Sequence, residues 1–229
     1  MKLIKPYTTI LTEIDGSKAL KDIEAVARTC YKSEEKISED DSSARELVNK
    51  LMKRGHEAML EFGGDITVKF VCDRGVSHEL VRHRLASFAQ ESTRYCNYTN
   101  EKFDGEVTFI IPSWVDIEEG SWSQARLFED LSFKPDHSVT VDAWASFMFD
   151  SELTYKELIE AGWSPQQARS VLPNSLKTEI NVKMNIREWR HFFKLRCSNA
   201  AHPQMQELTR PLLAEFQAKI PVLFDDITY

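Results

Sequence analysis

Thirteen consecutive residues crowd cationic and hydroxyl side chains that could act on an anion more closely than any other segment: Arg82-His83-Arg84-Leu85-Ala86-Ser87-Phe88-Ala89-Gln90-Glu91-Ser92-Thr93-Arg94. A guanidinium presents a planar fork of donors that matches phosphate or carboxylate oxygens, and neighbouring hydroxyls or backbone N–H groups fill the remaining acceptor positions. Three arginines and a histidine stand here in a chain whose 29 Lys+Arg are outnumbered by 36 Asp+Glu. Such a cluster is more often just a solvated helix end. Here, however, Ser77-His78-Glu79-Leu80-Val81 reads as a short helix and Ser87 to Tyr95 as a strand, which puts the arginines at a junction between elements. On such a strand Ser92 and Arg94 share a face by the period of two.

A second informative stretch is Asn185 to Arg196. At helical spacing Trp189, Phe192, Phe193 and Arg196 fall on one face, while Arg187 and His191 fall together on another. Burying an unpaired guanidinium is strongly unfavourable, so Arg196 must reach past the helix end or meet a carboxylate or a ligand. Spacing alone weighs an ion pair and a ligand about equally. A third stretch, Ser164 to Pro173, reads as a capped short helix with Ser164 as N-cap, Pro165 at the first helical position and Pro173 as terminator. Its Arg169, taken alone, is a surface residue. His78-Glu79-Leu80-Val81-Arg82-His83 resembles a zinc-protease motif, but a spacing of five turns the two rings about 140° apart at 3.6 residues per turn, so no metal site is expected.

The elements that must position these groups follow from periodicity. Leu20, Ile23, Ala27 and Cys30 mark an amphipathic helix over 17–31, started at Asp15-Gly16-Ser17. A polar loop over 32–43 leads to a second helix over 44–54, ended by Gly55. His56 then reads as an ordinary residue after a helix-ending glycine. Ile66, Val68, Phe70 and Cys72 alternate through a half-buried strand over 65–73. Further strands are expected at 107–111 and 175–184. Helices are expected at 138–161 and at 203–220, the latter with Met205, Leu208, Leu212, Phe216 and Ile220 on one stripe and a bend near Pro211. Residues 113–136, rich in Trp, Asp and Glu, read as a surface insertion.

With 229 residues, 42% hydrophobic and 28% charged, the chain has the composition of a soluble globular protein and is expected to form one domain over 1–229. No apolar run is long enough for a bilayer and the start lacks a secretory pattern, so a cytoplasmic location without a membrane partner is expected. Cys30, Cys72, Cys96 and Cys197 are too widely spaced for a zinc knuckle or a disulfide framework. A net charge of −7 disfavours nonspecific binding to a nucleic-acid polymer, though not a local arginine pocket for a small anion.

Arg82-His83-Arg84, Ser87, Ser92 and Arg94 together resemble the signature of the flavin-dependent thymidylate synthases. Three further blocks, in the family's order, resemble it too: His56 to Glu61, the Gln-Ala-Arg-x-x-Leu-Pro run ending at Pro173, and Asn185-x-Arg187, His191 and Arg196. The resemblance implies an α+β fold with a central, largely antiparallel sheet and flanking helices. It also implies a homotetramer whose subunits share active sites. The implied reaction converts dUMP to dTMP, with methylenetetrahydrofolate as carbon donor and NADPH as reductant through FAD, and without an enzyme cysteine nucleophile.

Residue by residue, the resemblance gives Glu79, Leu80, Val81, Arg82, Gln90, Glu91, Ser92, Thr93, Arg94, Arg169 and Arg196 to dUMP, with Arg196 as the catalytic group. It gives Ala58, Arg82, His83, Arg84, Gln90, Asn185, Ile186, Arg187 and His191 to FAD, and places His56 and Glu61 at the mouth of the site. Three positions depart from the pattern. Ala58 stands where a hydroxyl residue is usual, Phe62 where histidine is common, and Glu79 where glutamine is common; a carboxylate accepts but cannot donate as an amide does.

Two other readings compete. A cysteine-dependent methylase would use Cys96 or Cys197, the latter beside a cation that could lower its pKa. A nonenzymatic nucleotide- or RNA-binding module would use the same arginines, hold no flavin, and bind with steep salt dependence.

Overall fold

A computed structural model describes residues 1–133 and 139–229. In chain order the elements are β1 (Lys2–Ile4), β2 (Tyr7–Ile10), α1 (Gly16–Tyr31), α2 (Ser42–Lys53), β3 (Asp65–Asp73), α3 (Arg74–Leu80) and β4 (Ser87–Gln90). They continue with β5 (Thr108–Ile110), β6 (Gly120–Ser121), α4 (Gln124–Phe133), α5 (Val139–Glu160), α6 (Pro165–Ala168), β7 (Lys177–Asn185), α7 (Ile186–Arg196), α8 (Pro203–Lys219) and α9 (Pro221–Phe224). The fold is α+β, with two sheets where one central sheet was expected: a three-stranded sheet in the order β5-β1-β6 and a four-stranded one in the order β2-β3-β7-β4. The β1–β5 pair is parallel and the β1–β6 pair antiparallel. Among the described residues no helix is long and apolar enough to cross a membrane.

The chain divides into two compact, interleaved units. One comprises Met1–Tyr7, Val71–Leu80 and Gln90–Ile180, and the other Thr8–Phe70, Val81–Ala89 and Asn181–Tyr229. The first packs β1, β5 and α5 around Leu3, Phe109, Met148 and Tyr155. Ile117, Trp122 and Leu127 belong to this same core, so the stretch read as a surface insertion is in part structural: β6 pairs with β1, and the Trp122 ring is buried behind it. Residues 134–136 of that stretch lie outside the described residues.

The second unit is centred on aromatic rings. Trp189, Phe192 and Phe193 of α7 pack on one another, Trp189 and Phe193 meet Phe216 of α8, and Phe193 and Phe216 meet Phe224 of α9, at centroid separations of 5.0 to 5.9 Å. Each such fully buried ring contributes about 2–3 kcal/mol. The Trp189 Nε1–H donates to the Ile66 carbonyl at 3.0 Å, which fixes α7 against β3. Gly63, between the 3₁₀ turn Glu57–Phe62 and β3, packs closely against two isoleucines: a Cβ there would lie 2.6 Å from Ile186 Cδ1 and 2.9 Å from Ile23 Cδ1. A larger residue here would have to push these two isoleucine side chains aside.

Helix boundaries follow local chemistry. The Asp15 carboxylate accepts from Lys18 N–H at 2.9 Å and starts α1. Residues 34–36 form a short 3₁₀ turn inside the stretch expected to be loop. Ser164 opens α6, its N–H and hydroxyl both donating to Gln167 Oε1 at 2.9 and 2.8 Å. The strand expected over 87–95 is shorter. Glu91 N–H still donates to the Glu179 carbonyl at 2.8 Å, but the Ser92 carbonyl then receives Tyr95 and Cys96 N–H at 3.1 and 3.0 Å, and the chain turns. Ser92 and Arg94 therefore sit in a turn, where serine and threonine compete well with a strand ladder.

Candidate active site

β7 runs directly into α7 with no loop between them. Asn185 keeps an extended backbone, and its side chain accepts from Glu188 N–H at 2.9 Å, satisfying one of the open donors of the first turn. This cap sets the phase of the helix. Ile186, Trp189, Phe192 and Phe193 are buried, while Arg187 and His191 come to the surface. Arg187 pairs with Glu61 at 2.6 Å, joining two residues that the sequence assigned to the cofactor and to the mouth of the site. His56 stands just ahead of the 3₁₀ turn that carries Ala58, and both are exposed.

Arg82 and Arg84 are exposed on either side of His83, whose ring is buried against Phe192 at 5.0 Å and His191 at 5.5 Å. Arg196 Nε–H donates to His83 Nε2 at 3.2 Å. Arginine is always a donor, so His83 Nε2 must carry the lone pair and its proton must sit on Nδ1. That Nδ1 lies 3.2 Å from Glu188 Oε1, and His191 Nδ1 approaches the same oxygen at 3.1 Å. Burial holds the His83 pKa below its ordinary value, aided by the charge of Arg196 and by His191 and opposed by Glu188. His83 is thus neutral, and this contact orients Arg196 without cancelling its charge.

His83, Glu188 and His191 offer ligand atoms within 4.8 Å of one another, the spacing of a metal triad. The Arg196 bond argues for a different use. A metal on His83 Nδ1 would force the ring proton onto Nε2, where it would face the Arg196 Nε–H donor against donor.

In the first unit, Arg169 Nη1–H donates to Thr93 Oγ1 at 2.9 Å, across 76 residues of sequence. Arg169 opens the single turn after α6, and Thr93 lies within the Ser92–Arg94 turn. Arg94 N–H donates to Ser92 Oγ at 3.3 Å, and the Arg94 guanidinium sits 5.5 Å from the centroid of the exposed Tyr95 ring. Two arginines and two hydroxyls thus converge on one turn. Gln90 is anchored by its amide, which donates to Ser77 Oγ at 3.0 Å and Thr178 Oγ1 at 3.1 Å. In α3, Glu79 is half-buried and Leu80 is fully buried, so Leu80, which the resemblance gave to dUMP, offers a ligand no surface here; Val81, beyond the helix, is exposed.

Glu91 is committed to the protein itself. Its carboxylate receives Lys177 Nζ and the Tyr98 hydroxyl, each at 2.9 Å. Burial works to lower the Lys177 pKa, but hydrogen bonds and charge from Glu179 and Glu91 outweigh it and leave the ammonium raised. Burial, with the Glu91 charge, pushes the Tyr98 hydroxyl up.

Sequence reasoning passed over Glu188, Lys177 and Thr178. Asn185-x-x-Glu188 is legible as a helix-capping pattern, but nothing in it shows that the carboxylate turns to two histidines instead.

The fold is α+β, and each of its two units carries an arginine-centred cluster. The chain belongs to the thymidylate synthase complementing protein family, whose model matches residues 12–222. It is 32% identical over 206 residues to a flavin-dependent thymidylate synthase of Geobacter sulfurreducens, covering 87% of this chain and 78% of that protein. A Pyrococcus abyssi protein of the same name is 33% identical over 181 residues, covering 79% of this chain and 65% of its own length. One from Corynebacterium glutamicum is 29% identical over 230 residues, covering 94% of this chain and 81% of that protein.

Proposed function

We propose that this protein is a flavin-dependent thymidylate synthase, an FAD-dependent methyltransferase converting dUMP to dTMP. Methylenetetrahydrofolate would supply the carbon and NADPH the reducing equivalents, and the protein would work as a cytoplasmic homotetramer with shared active sites over a single 1–229 domain. The observation that carries the reading is Arg196, held by Nε at the end of a helix whose first turns present Asn185, Arg187 and His191.

The uracil ring is a poor nucleophile at C5. A guanidinium at its N3–O4 edge or O2 stabilises negative charge as it develops on the ring, the kind of preorganised electrostatic help that is worth most away from bulk water. Arg196 takes that role. Arg169, Arg94, Ser92 and Thr93 would seat the nucleotide phosphate and sugar, with the Glu79–Arg82 segment at the base. Thr93 aims the Arg169 fork, and the Ser92 hydroxyl and backbone N–H groups complete the oxygen positions.

FAD fits the donor set of the second unit. Arg82, Arg84, Arg187 and His191 are exposed donors suited to a pyrophosphate and would hold it, with Ala58 and Ile186 contributing as the resemblance implies. When bound there, FAD supplies hydride transfer, which spares the protein a nucleophile of its own.

The thiols support this division of labour. Cys197 is buried and burial pushes its pKa up, partly offset by Thr209 and Arg210, so it is poorly suited to attack carbon. Four unpaired thiols also suit a reducing compartment.

The test is direct. Purified protein should be yellow, bleach anaerobically with NADPH in a dUMP-dependent manner, and form dTMP when methylenetetrahydrofolate is added. Cys96→Ala and Cys197→Ala should retain turnover. Colourless protein that binds RNA with steep salt dependence, or loss of dTMP formation in a cysteine variant that still holds FAD, would overturn the reading.

A further inference from the structure

Glu188 is almost fully buried yet has no part in the chemistry so far assigned. It sits in the first turn of α7, where its N–H is taken by Asn185 and its Oε1 lies within hydrogen-bond distance of both His83 and His191. We propose that Glu188 is a positioning residue for Arg196, acting through His83: its carboxylate holds the His83 proton on Nδ1 and so keeps Nε2 open to the Arg196 Nε–H. The inference rests on the function proposed for Arg196 and adds the device that aims it.

The chemistry of imidazole makes the link obligatory. A neutral ring has one donor nitrogen and one acceptor, so the bond at one nitrogen decides the role of the other. Remove the acceptor at Nδ1 and the proton can move to Nε2, where it opposes Arg196 donor against donor. The guanidinium must then swing, and a misplacement on the order of 1 Å is costly for a group that acts by orientation. The ring itself cannot move aside, because Phe192 packs against it and His83 is only 4% exposed. Tautomer, and not ring position, is therefore the variable that Glu188 controls.

The experiment uses full-length, FAD-loaded protein with ¹⁵N-labelled histidine, in wild type, Glu188→Ala and Glu188→Gln. Wild-type His83 should show the Nδ1–H tautomer by long-range ¹⁵N–¹H correlation. Glu188→Ala should populate the Nε2–H form and lower kcat for dTMP by about 10-fold or more, with the KM for dUMP shifted less than about 2-fold, since an aim needed only in the transition state appears in kcat. Glu188→Gln keeps an acceptor oxygen and should recover most of the lost rate and the Nδ1–H signal.

An Nε2–H tautomer in the wild type, or unchanged kcat and tautomer in Glu188→Ala, would overturn the proposal. So would a Glu188→Gln protein with wild-type thermal stability but the rate of Glu188→Ala. If Glu188→Ala does not fold, the wild-type tautomer and the glutamine variant decide. A wild type that makes no dTMP would instead remove the function proposed above, and the tautomer spectra would still decide whether Glu188 sets His83.

Discussion

Arg196 and His83 stand 113 residues apart in sequence and meet through a 3.2 Å hydrogen bond from Nε–H to Nε2. The bond fixes which histidine nitrogen holds the proton and which way the guanidinium faces. It also ties the Arg-His-Arg stretch to the end of α7, so the two most informative parts of the sequence form one device.

Arg196→Lys should lose this device while keeping the charge. Lysine carries a point charge on a flexible stem and cannot reproduce a fork held by its Nε. We expect kcat for dTMP to fall by about 10²-fold or more in both Arg196→Lys and Arg196→Ala, with FAD still bound, as when an oriented donor to a developing anion is removed. Steady-state kinetics with flavin absorbance check this; near-normal turnover in Arg196→Lys would show that orientation is unimportant.

Thr93→Val should act on substrate capture. It removes the hydroxyl that receives Arg169 Nη1–H but leaves both arginines in place. A contact equally strong in ground and transition states appears in KM, so the KM for dUMP should rise several-fold, on the order of 3- to 10-fold, with kcat nearly unchanged. Arg169→Ala should raise it further. Equal falls in kcat and no change in KM would point away from phosphate binding.

Acid should weaken the second unit through His83. Its native pKa is lowered, chiefly by burial, so between that value and the unfolded one near 6.5 the unfolded chain binds more protons than the folded one. Stability from this group is therefore complete above about pH 6.5 and falls as pH drops through the window below it. Glu188, His191 and Arg196 are the charged or titratable neighbours that set its extent. Protonation would also remove the acceptor for Arg196, so activity should share this acid limb. Urea unfolding from pH 7.5 to about 5.5 should show the loss in wild type and a shallower slope in His83→Gln.

Asp226→Ala should destabilise the protein away from either cluster. Arg190 is buried, and its guanidinium is met by both Asp226 oxygens at 2.6 and 2.7 Å, by Glu57 at 3.3 Å and by the Leu223 carbonyl. Asp226 itself is half exposed, so solvent screens part of the pair; a loss of about 2 kcal/mol is expected, less than for a wholly buried pair. Hydrogen bonding to Arg190 lowers the Asp226 pKa despite some desolvation. The pair's contribution is thus present above pH about 4 and lost as pH falls through the lowered value. Chemical denaturation at neutral pH, with kcat unchanged, is the check.

What the amino-acid order determined by itself was local and repetitive. The strand over Asp65–Asp73 matches the alternation of Ile66, Val68 and Phe70, and the stripe of Met205, Leu208, Leu212 and Phe216 is buried as its spacing requires. Helix starts at Asp15 and Ser164 were legible because a cap is a contact between near neighbours. The spaced arginine motifs likewise carried the family. Tertiary structure decided what depends on partners far along the chain. Trp122 is core because β6 finds β1, and the strand from Ser87 ends early because the Ser92 turn outcompetes the ladder that Glu179 offers. Glu188 serves histidines instead of its own helix end because His83 arrives from 105 residues away. Periodicity and capping are properties of neighbouring residues, whereas a proton's place on an imidazole depends on what the folded chain brings to its two nitrogens.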